Sequence, residues 1–116
     1  MAQMTEEMSA GPARVRVDMI GEDLPDHVLE DMNFLNYRLA AVQLETTLTL
    51  DRPDIVWDRS ASTMSVAWDG STMHFDGEWA AGPIQKAIVT VLALRLEEQG
   101  LHPFHASAVR YQGKSV

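Results

Sequence analysis

The chain has 116 residues, 46% of them hydrophobic, and its 17 acidic and 9 basic residues give a net charge of −8. This composition suits one domain with its own core, and the negative charge argues against nucleic acid or an anionic membrane as a partner, because both attract basic surfaces. The absence of cysteine excludes disulfides, thiol catalysis and thiolate metal sites, and no apolar run reaches the roughly 20 residues of a membrane span, so we expect a cytoplasmic protein.

The N-terminal residues are small, polar and acidic and end in Gly11-Pro12. They lack the basic and apolar regions of a signal peptide, and we predict a flexible tail over 1–12 and a single domain over 13–116. After the tail, Val15, Val17 and Met19 alternate with charged residues, which predicts a strand with one buried face.

The segment "DHVLEDMNFLNYRLAAVQ" predicts the first helix, with Asp26 as a candidate N-cap. Its apolar residues recur at spacings of four, three and four, which places them on one helical face: Val28, Met32, Leu35 and Leu39. The next segment, "LETTLTL", has leucine or threonine at every second position, and this pattern predicts a strand over 44–50.

Three short strands follow, in "IVWD", "STMSVAW" and "TMHFDG", and we predict that they form a meander. Asp69-Gly70 is a hairpin-turn signal between the second and third strands, and Asp76-Gly77 ends the group. Met64, Val66 and Trp68 alternate along the middle strand.

The clearest helix begins with Pro83 at its first position and ends at Gly100. Apolar residues cover most of its circumference, so we expect it to be buried on most sides. The fold class predicted from all these elements is α+β, a mostly antiparallel sheet with two helices.

Near its end the chain contains Gly113-Lys114-Ser115, which matches the last positions of the P-loop pattern G-x-x-x-x-G-K-[ST]. The first glycine of that pattern would lie at position 108, where the chain has Ala108. A P-loop also follows a strand and opens a helix, whereas the residues before Gly113 predict the strand itself. We therefore interpret the tripeptide as part of a turn.

The segment "GLHPFHASAVRYQGKSV" resembles the one that leads into the P-loop in HPr kinase/phosphorylase-like proteins and their phosphoenolpyruvate-carboxykinase-like relatives. Residues 105–109 match that family's strand of the form His-Ala/Gly-x-x-Val, and Gly113 matches the turn after it. The resemblance implies that residues 83–116 are the start of a larger α/β kinase core, whose P-loop lies just beyond Val116.

By this resemblance, the intact protein would be a kinase that uses ATP and Mg²⁺ to phosphorylate a hydroxyl, on a serine of a protein or peptide or on a small molecule. The P-loop, the acidic residues that hold magnesium and the catalytic base lie downstream in that family. The chain alone is therefore expected to bind no cofactor and to be inactive. His105 is the one site residue that carries over, since the matching histidine lies beside the phosphate site.

Other polar residues give weaker signals. His102 and His105 point to opposite sides of a strand, and with His74 and Asp76 they match no standard zinc spacing, so we assign no metal site. Ser107 lacks the G-x-S-x-G elbow of a nucleophile, and we interpret it as a small strand residue.

Trp57, Trp68 and Trp79 lie in or beside the predicted hairpins, where they would form a core between sheet and helix or line a binding groove; we favour the core. The alternative to the kinase is a complete peptide- or protein-binding module that uses a strand edge or the hairpin face. The kinase hypothesis predicts an uncovered apolar flank on residues 84–96, for the rest of the kinase chain, a second copy or a partner. A metal-dependent hydrolase ranks last, since only scattered histidines and acids favour it.

Overall fold

The computed structural model of the chain describes residues 2–39 and 41–100, together with the backbone of 110–111 and 114–115. Its elements are, in chain order, β1 (Ala2–Ala10), β2 (Ala13–Gly21), α1 (Asn33–Arg38), β3 (Val42–Glu45), β4 (Ile55–Asp58), β5 (Ser65–Trp68), β6 (Met73–Asp76), α2 (Ala81–Glu98), β7 (Arg110–Tyr111) and β8 (Lys114–Ser115). In this part of the chain, two helices accompany a six-stranded mixed sheet that is mostly antiparallel, so the predicted α+β class is confirmed.

The six-stranded sheet has the strand order β3-β1-β2-β4-β6-β5. The β1–β2, β1–β3 and β5–β6 pairs are antiparallel, whereas β2–β4 and β4–β6 are parallel. The predicted hairpin at Asp69-Gly70 is confirmed, with Gly70 at a φ of 101° that glycine tolerates. The predicted meander is wrong, because β6 lies between β4 and β5. In that position β6 buries Phe75 in the core, while β5 forms the edge.

The N-terminal residues form a strand of the sheet, so the flexible tail predicted for 1–12 is wrong. β1 pairs with β2 along its whole length, and Gly11-Pro12 makes the two-residue turn between them, with Gly11 at a φ of 58°. Met8 faces the core and is completely buried. The strand pattern is interrupted by Glu6, a charged residue that lies opposite Val17 on the core side of the sheet, between Met4 and Met8.

The helix predicted from Asp26 is much shorter than its apolar pattern indicates. α1 has only six residues, and Asp26 is not its N-cap. The Glu6 carboxylate in β1 accepts the Val28 N–H at 2.5 Å, so this N–H does not enter a helical hydrogen-bond ladder. The predicted apolar positions still reach the core, since Val28, Leu35 and Leu39 are all buried.

The strand predicted over 44–50 forms only at its start, as the end of β3. The N–H groups of Thr49 and Leu50 both donate to the Glu7 carboxylate, at 2.7 Å each. These two backbone N–H groups are therefore not available to pair with a neighbouring strand. Residues 46–50 instead cross the polar face of the sheet. We call residues 46–50 the strap.

α2 covers the middle of the sheet and contacts β2. It begins at Ala81, slightly before the predicted Pro83, and the predicted C-terminal glycine, Gly100, has a φ of 79°. The buried residues of α2 are Ile84, Ala87, Ile88, Leu92 and Leu96. Leu94 is exposed, so the prediction that the helix is buried on most sides is wrong for that flank.

β7 and β8 form a separate antiparallel ribbon, in which Tyr111 pairs with Lys114. The turn predicted at Gln112-Gly113 and the predicted strand over 105–109 lie outside the described residues. In a P-loop the lysine and serine open a helix, whereas Lys114 and Ser115 are strand residues here.

Candidate protein-interaction face

β5 is the edge strand of the sheet, and one side of it continues the face on which the core lies. Val66 pairs with Phe75 and Trp68 pairs with Met73, and residues directly opposite in antiparallel strands project to the same side. Phe75 is buried in the core. Val66 and Trp68 therefore extend the apolar face of the sheet past the part that the helices cover.

The apolar side chains at this end of the sheet are exposed. The exposed fractions of Met64, Val66 and Trp68 are 60%, 52% and 61%, and that of Leu94 on α2 is 54%. We call these four residues the open apolar face. Single exposed apolar residues are ordinary, but a cluster of this kind is typical of an interaction surface.

A groove of about 250 Å³ lies between β5 and α2 within this face. Trp68 lines one side, and Val91 and Leu94 line the other. At one end, the Arg95 guanidinium donates to both carboxylate oxygens of Asp54, at 2.7 and 2.5 Å. Because this bidentate pair ties α2 to the residue before β4, it holds the α2 wall of the groove in place.

An acidic residue borders the groove. Glu98 lines it, beside the Asp54–Arg95 pair. Asp69 lies on the other side of the sheet, because its carboxylate bonds His74 Nε2 at 2.8 Å and His74 alternates along β6 with Met73 and Phe75. That hydrogen bond, assisted by two backbone N–H groups, holds the pKa of Asp69 well below its ordinary value of 3.8.

The three tryptophans have different environments, although the sequence favoured the core for all of them. Trp57 is buried and donates its indole N–H to the Gly77 carbonyl at 2.9 Å, which confirms the prediction. Trp79 packs edge-on against Phe75, with ring centroids 5.4 Å apart. For Trp68 the prediction is wrong, because its side chain is exposed and neither helix within residues 2–39 and 41–100 covers it. The alternation of Met64, Val66 and Trp68 was visible, but their exposure depends on where α2 packs.

The other candidate residues from the sequence do not form a site in the described part of the chain. His74 bonds Asp69, and Asp76 accepts a hydrogen bond from the Ser65 hydroxyl at 3.3 Å. Within residues 2–39 and 41–100, no three potential metal-ligating side chains come together. His102, His105 and Ser107 lie outside the described residues.

No family model, no curated protein and no solved structure matches this chain. Among the described residues, neither helix is long and apolar enough to cross a bilayer. We therefore infer function from the open apolar face and the residues around it.

Proposed function

We propose that this chain is a protein-binding module whose open apolar face holds an amphipathic helix of its partner. The observation that supports this proposal is the extension of the core face of the sheet past its helical cover. Apolar burial contributes about 25 cal/mol for each Å² removed from water. A partner that covers the four exposed side chains therefore gains affinity directly from surface that this fold leaves in solvent.

A helix fits this surface better than an added strand. The exposed side chains project from the face of β5, whereas an added strand would use the backbone groups along its edge. α2 already lies on the neighbouring part of the same face. A second helix at the usual separation of about 8–10 Å would contact Val91 and Leu94 on one side and Trp68 beneath it.

The charge around the face favours a partner helix with basic residues beside its apolar stripe. Glu98 lines the groove between the apolar residues, and the whole chain carries a net charge of −8. Opposite charges at the rim of an interface raise the association rate and weaken binding as salt increases. We therefore expect binding that falls with ionic strength but persists at high salt through its apolar part.

Selection from a random peptide library on the immobilised chain tests this function. The selected peptides are expected to carry apolar residues at i, i+3, i+4 and i+7 spacing, flanked by lysine or arginine. Titration of one such peptide should show a Kd that rises about tenfold or more in Trp68→Ser and in Leu94→Ser, because each removes a large apolar contact.

Leu48→Ser is the matched control, since Leu48 is also half exposed but belongs to the strap. It should bind the peptide as the wild type does. If the library yields no helical pattern, or if the three variants bind a selected peptide equally well, the open apolar face does not hold a partner helix.

The second candidate function is that of an N-terminal portion of an HPr-kinase-like enzyme. Two observations favour it: the paired strands β7 and β8 follow α2 in the chain, and Leu94 on the flank of α2 is exposed. Under this hypothesis the open apolar face receives the rest of the kinase chain, and His105 lies beside the phosphate site.

The described residues do not fit ATP and Mg²⁺ by themselves. Lys114 and Ser115 lie in a strand, and no group of three metal ligands forms within residues 2–39 and 41–100. Sequencing the gene past the codon for Val116 tests the kinase hypothesis. A glycine-rich loop ending in Gly-Lys-Ser or Gly-Lys-Thr within roughly ten codons supports it, and a stop codon or an unrelated sequence contradicts it.

A further inference from the structure

A cavity of about 420 Å³ lies between α1 and α2. Its lining is Phe34 and Arg38 from α1 and Lys86, Val89 and Thr90 from α2. We call it the α1–α2 pocket. Val89 and Leu94 are separated by about 140° around the helix, at 3.6 residues per turn. The pocket and the open apolar face therefore occupy different flanks of α2.

The two cations of this pocket have no acidic partner in the described part of the chain. Acidic residues outnumber basic ones by 17 to 9, and Arg14, Arg16 and Arg95 each bind a carboxylate. Among the described residues, however, no carboxylate oxygen lies within salt-bridge distance of Arg38 or Lys86. An acidic protein that leaves two cations together in one cavity has a local positive field there.

The Arg38 guanidinium packs on an aromatic ring, but one of its N–H groups lacks a hydrogen-bond acceptor among the described residues. Its guanidinium lies 4.9 Å above the centre of the Phe34 ring, a cation–π contact that orients its plane. Its Nε is buried and has no hydrogen-bond acceptor among the described residues. Because a buried N–H without an acceptor costs free energy, a small rotation that turns this group toward a bound oxygen is favourable.

We propose that the α1–α2 pocket binds a small organic anion whose carboxylate or phosphate group lies between Arg38 and Lys86. Phe34 and Val89 supply an apolar wall for the body of the ligand. Thr90 donates its hydroxyl proton to the Lys86 carbonyl at 2.8 Å, so its oxygen can accept a hydrogen bond from the ligand. The cavity volume is in the range of small-molecule sites, about 300–1,000 Å³.

The test is a titration of the ¹⁵N-labelled chain with four probes: phenyl phosphate, benzoate, inorganic phosphate and neutral benzyl alcohol. Phenyl phosphate or benzoate should shift the amide signals of residues 34–38 and 86–90 in a saturable way. Inorganic phosphate, which lacks an apolar body, should bind more weakly, and benzyl alcohol should not saturate. The stronger of the two aromatic anions identifies the head group.

Arg38→Gln and Lys86→Gln should each raise the Kd of the aromatic anion about tenfold, since each removes one charged donor. Lys86 is exposed on α2, so Lys86→Gln leaves the fold intact even if Arg38→Gln weakens α1. Arg52→Gln is the matched control and should bind normally, because Arg52 lies away from this pocket, beside Ser71. Unsaturable shifts, equal binding of the alcohol, or unchanged binding by both pocket variants would overturn the proposal, and none of these results bears on the open apolar face.

Discussion

The two ends of the six-stranded sheet differ in how they are covered. At the β3–β1–β2 end, α1 and the residues before it lie on one face, and the strap crosses the other. The carboxylates that this end buries are all bonded, with Glu7 and Asp18 each paired to an arginine. At the β6–β5 end, large apolar side chains remain in solvent.

The two ends therefore differ in function: the strap contacts contribute to the stability of the fold, and the open apolar face is available to bind a partner. On the face that the strap crosses, the side chains that bond the strap to the sheet have a structural function. The open end has apolar surface that adds nothing to the stability of the chain until something covers it. Variants that remove the bonds to the strap should therefore change the free energy of unfolding, and variants of the open apolar face should change the binding of a partner helix.

The largest contrast is expected between two leucines of the same helix. Leu92 is completely buried against the sheet, whereas Leu94 is half exposed on the open apolar face. Leu92→Ala should lower the free energy of unfolding by about 3 kcal/mol through lost burial and a residual cavity, and Leu94→Ala by less than about 0.5 kcal/mol. Urea denaturation monitored by circular dichroism measures both. Similar losses would mean that the two flanks of α2 are equally covered.

A smaller loss is expected when the bond between strap and sheet is weakened. The Glu7 carboxylate accepts two backbone N–H groups of the strap and the Arg14 Nε at 2.9 Å. Glu7→Gln should cost about 2 kcal/mol, because the amide removes the charge and replaces one acceptor oxygen by a donor. Denaturation of Glu97→Gln, which changes an exposed glutamate of α2, should show almost no loss and provides the control.

The same carboxylate predicts how stability depends on acid. Burial alone raises the pKa of Glu7, but hydrogen bonds from the Leu50 and Thr49 N–H groups and from Arg14 outweigh it, and the pKa lies below its ordinary 4.5. A lowered folded-state pKa gives stability that is present above 4.5 and is lost as the pH falls through the folded value. Unfolding free energies measured across this range should decline less steeply in Glu7→Gln. If the unfolding free energies of the wild type and Glu7→Gln fall in parallel with pH, the lowered pKa of Glu7 does not contribute to stability.

The sequence could predict the elements whose signals are local. β2, β4 and α2 have apolar periodicities that bury their own residues, and the Asp69-Gly70 turn needs only its neighbours. The strap was missed because Thr49 and Leu50 bond Glu7, a residue far away in the chain, and β1 was missed because Glu6 interrupts its apolar face. Both errors come from carboxylates of β1 whose hydrogen-bond partners are distant in sequence.

The candidate interaction face could be predicted only in part. The apolar alternation of Met64, Val66 and Trp68 is visible in the sequence, but alternation states only that one side of a strand is apolar. Whether a helix covers that side depends on the strand order, and the sequence suggested a meander in which β5 would be internal. Because β5 lies at the edge of the sheet, Trp68, which was predicted to lie in the core, is exposed on the surface.

The smallest effect is expected where a sheet residue holds the segment before α1. Glu6 bonds the His27 ring at 2.7 Å, and this hydrogen bond, with the charge of the carboxylate, raises the pKa of His27 above its ordinary 6.5. The stabilisation is therefore complete below 6.5 and is lost as the pH rises through the raised folded value. An NMR titration should give His27 a higher pKa than it has in Glu6→Gln. Because the ring is mostly exposed, solvent screens the pair, and His27→Gln should change the unfolding free energy far less than the changes at Leu92 or Glu7 do. An unshifted His27 in the wild type would mean that Glu6 holds the segment through the Val28 N–H alone.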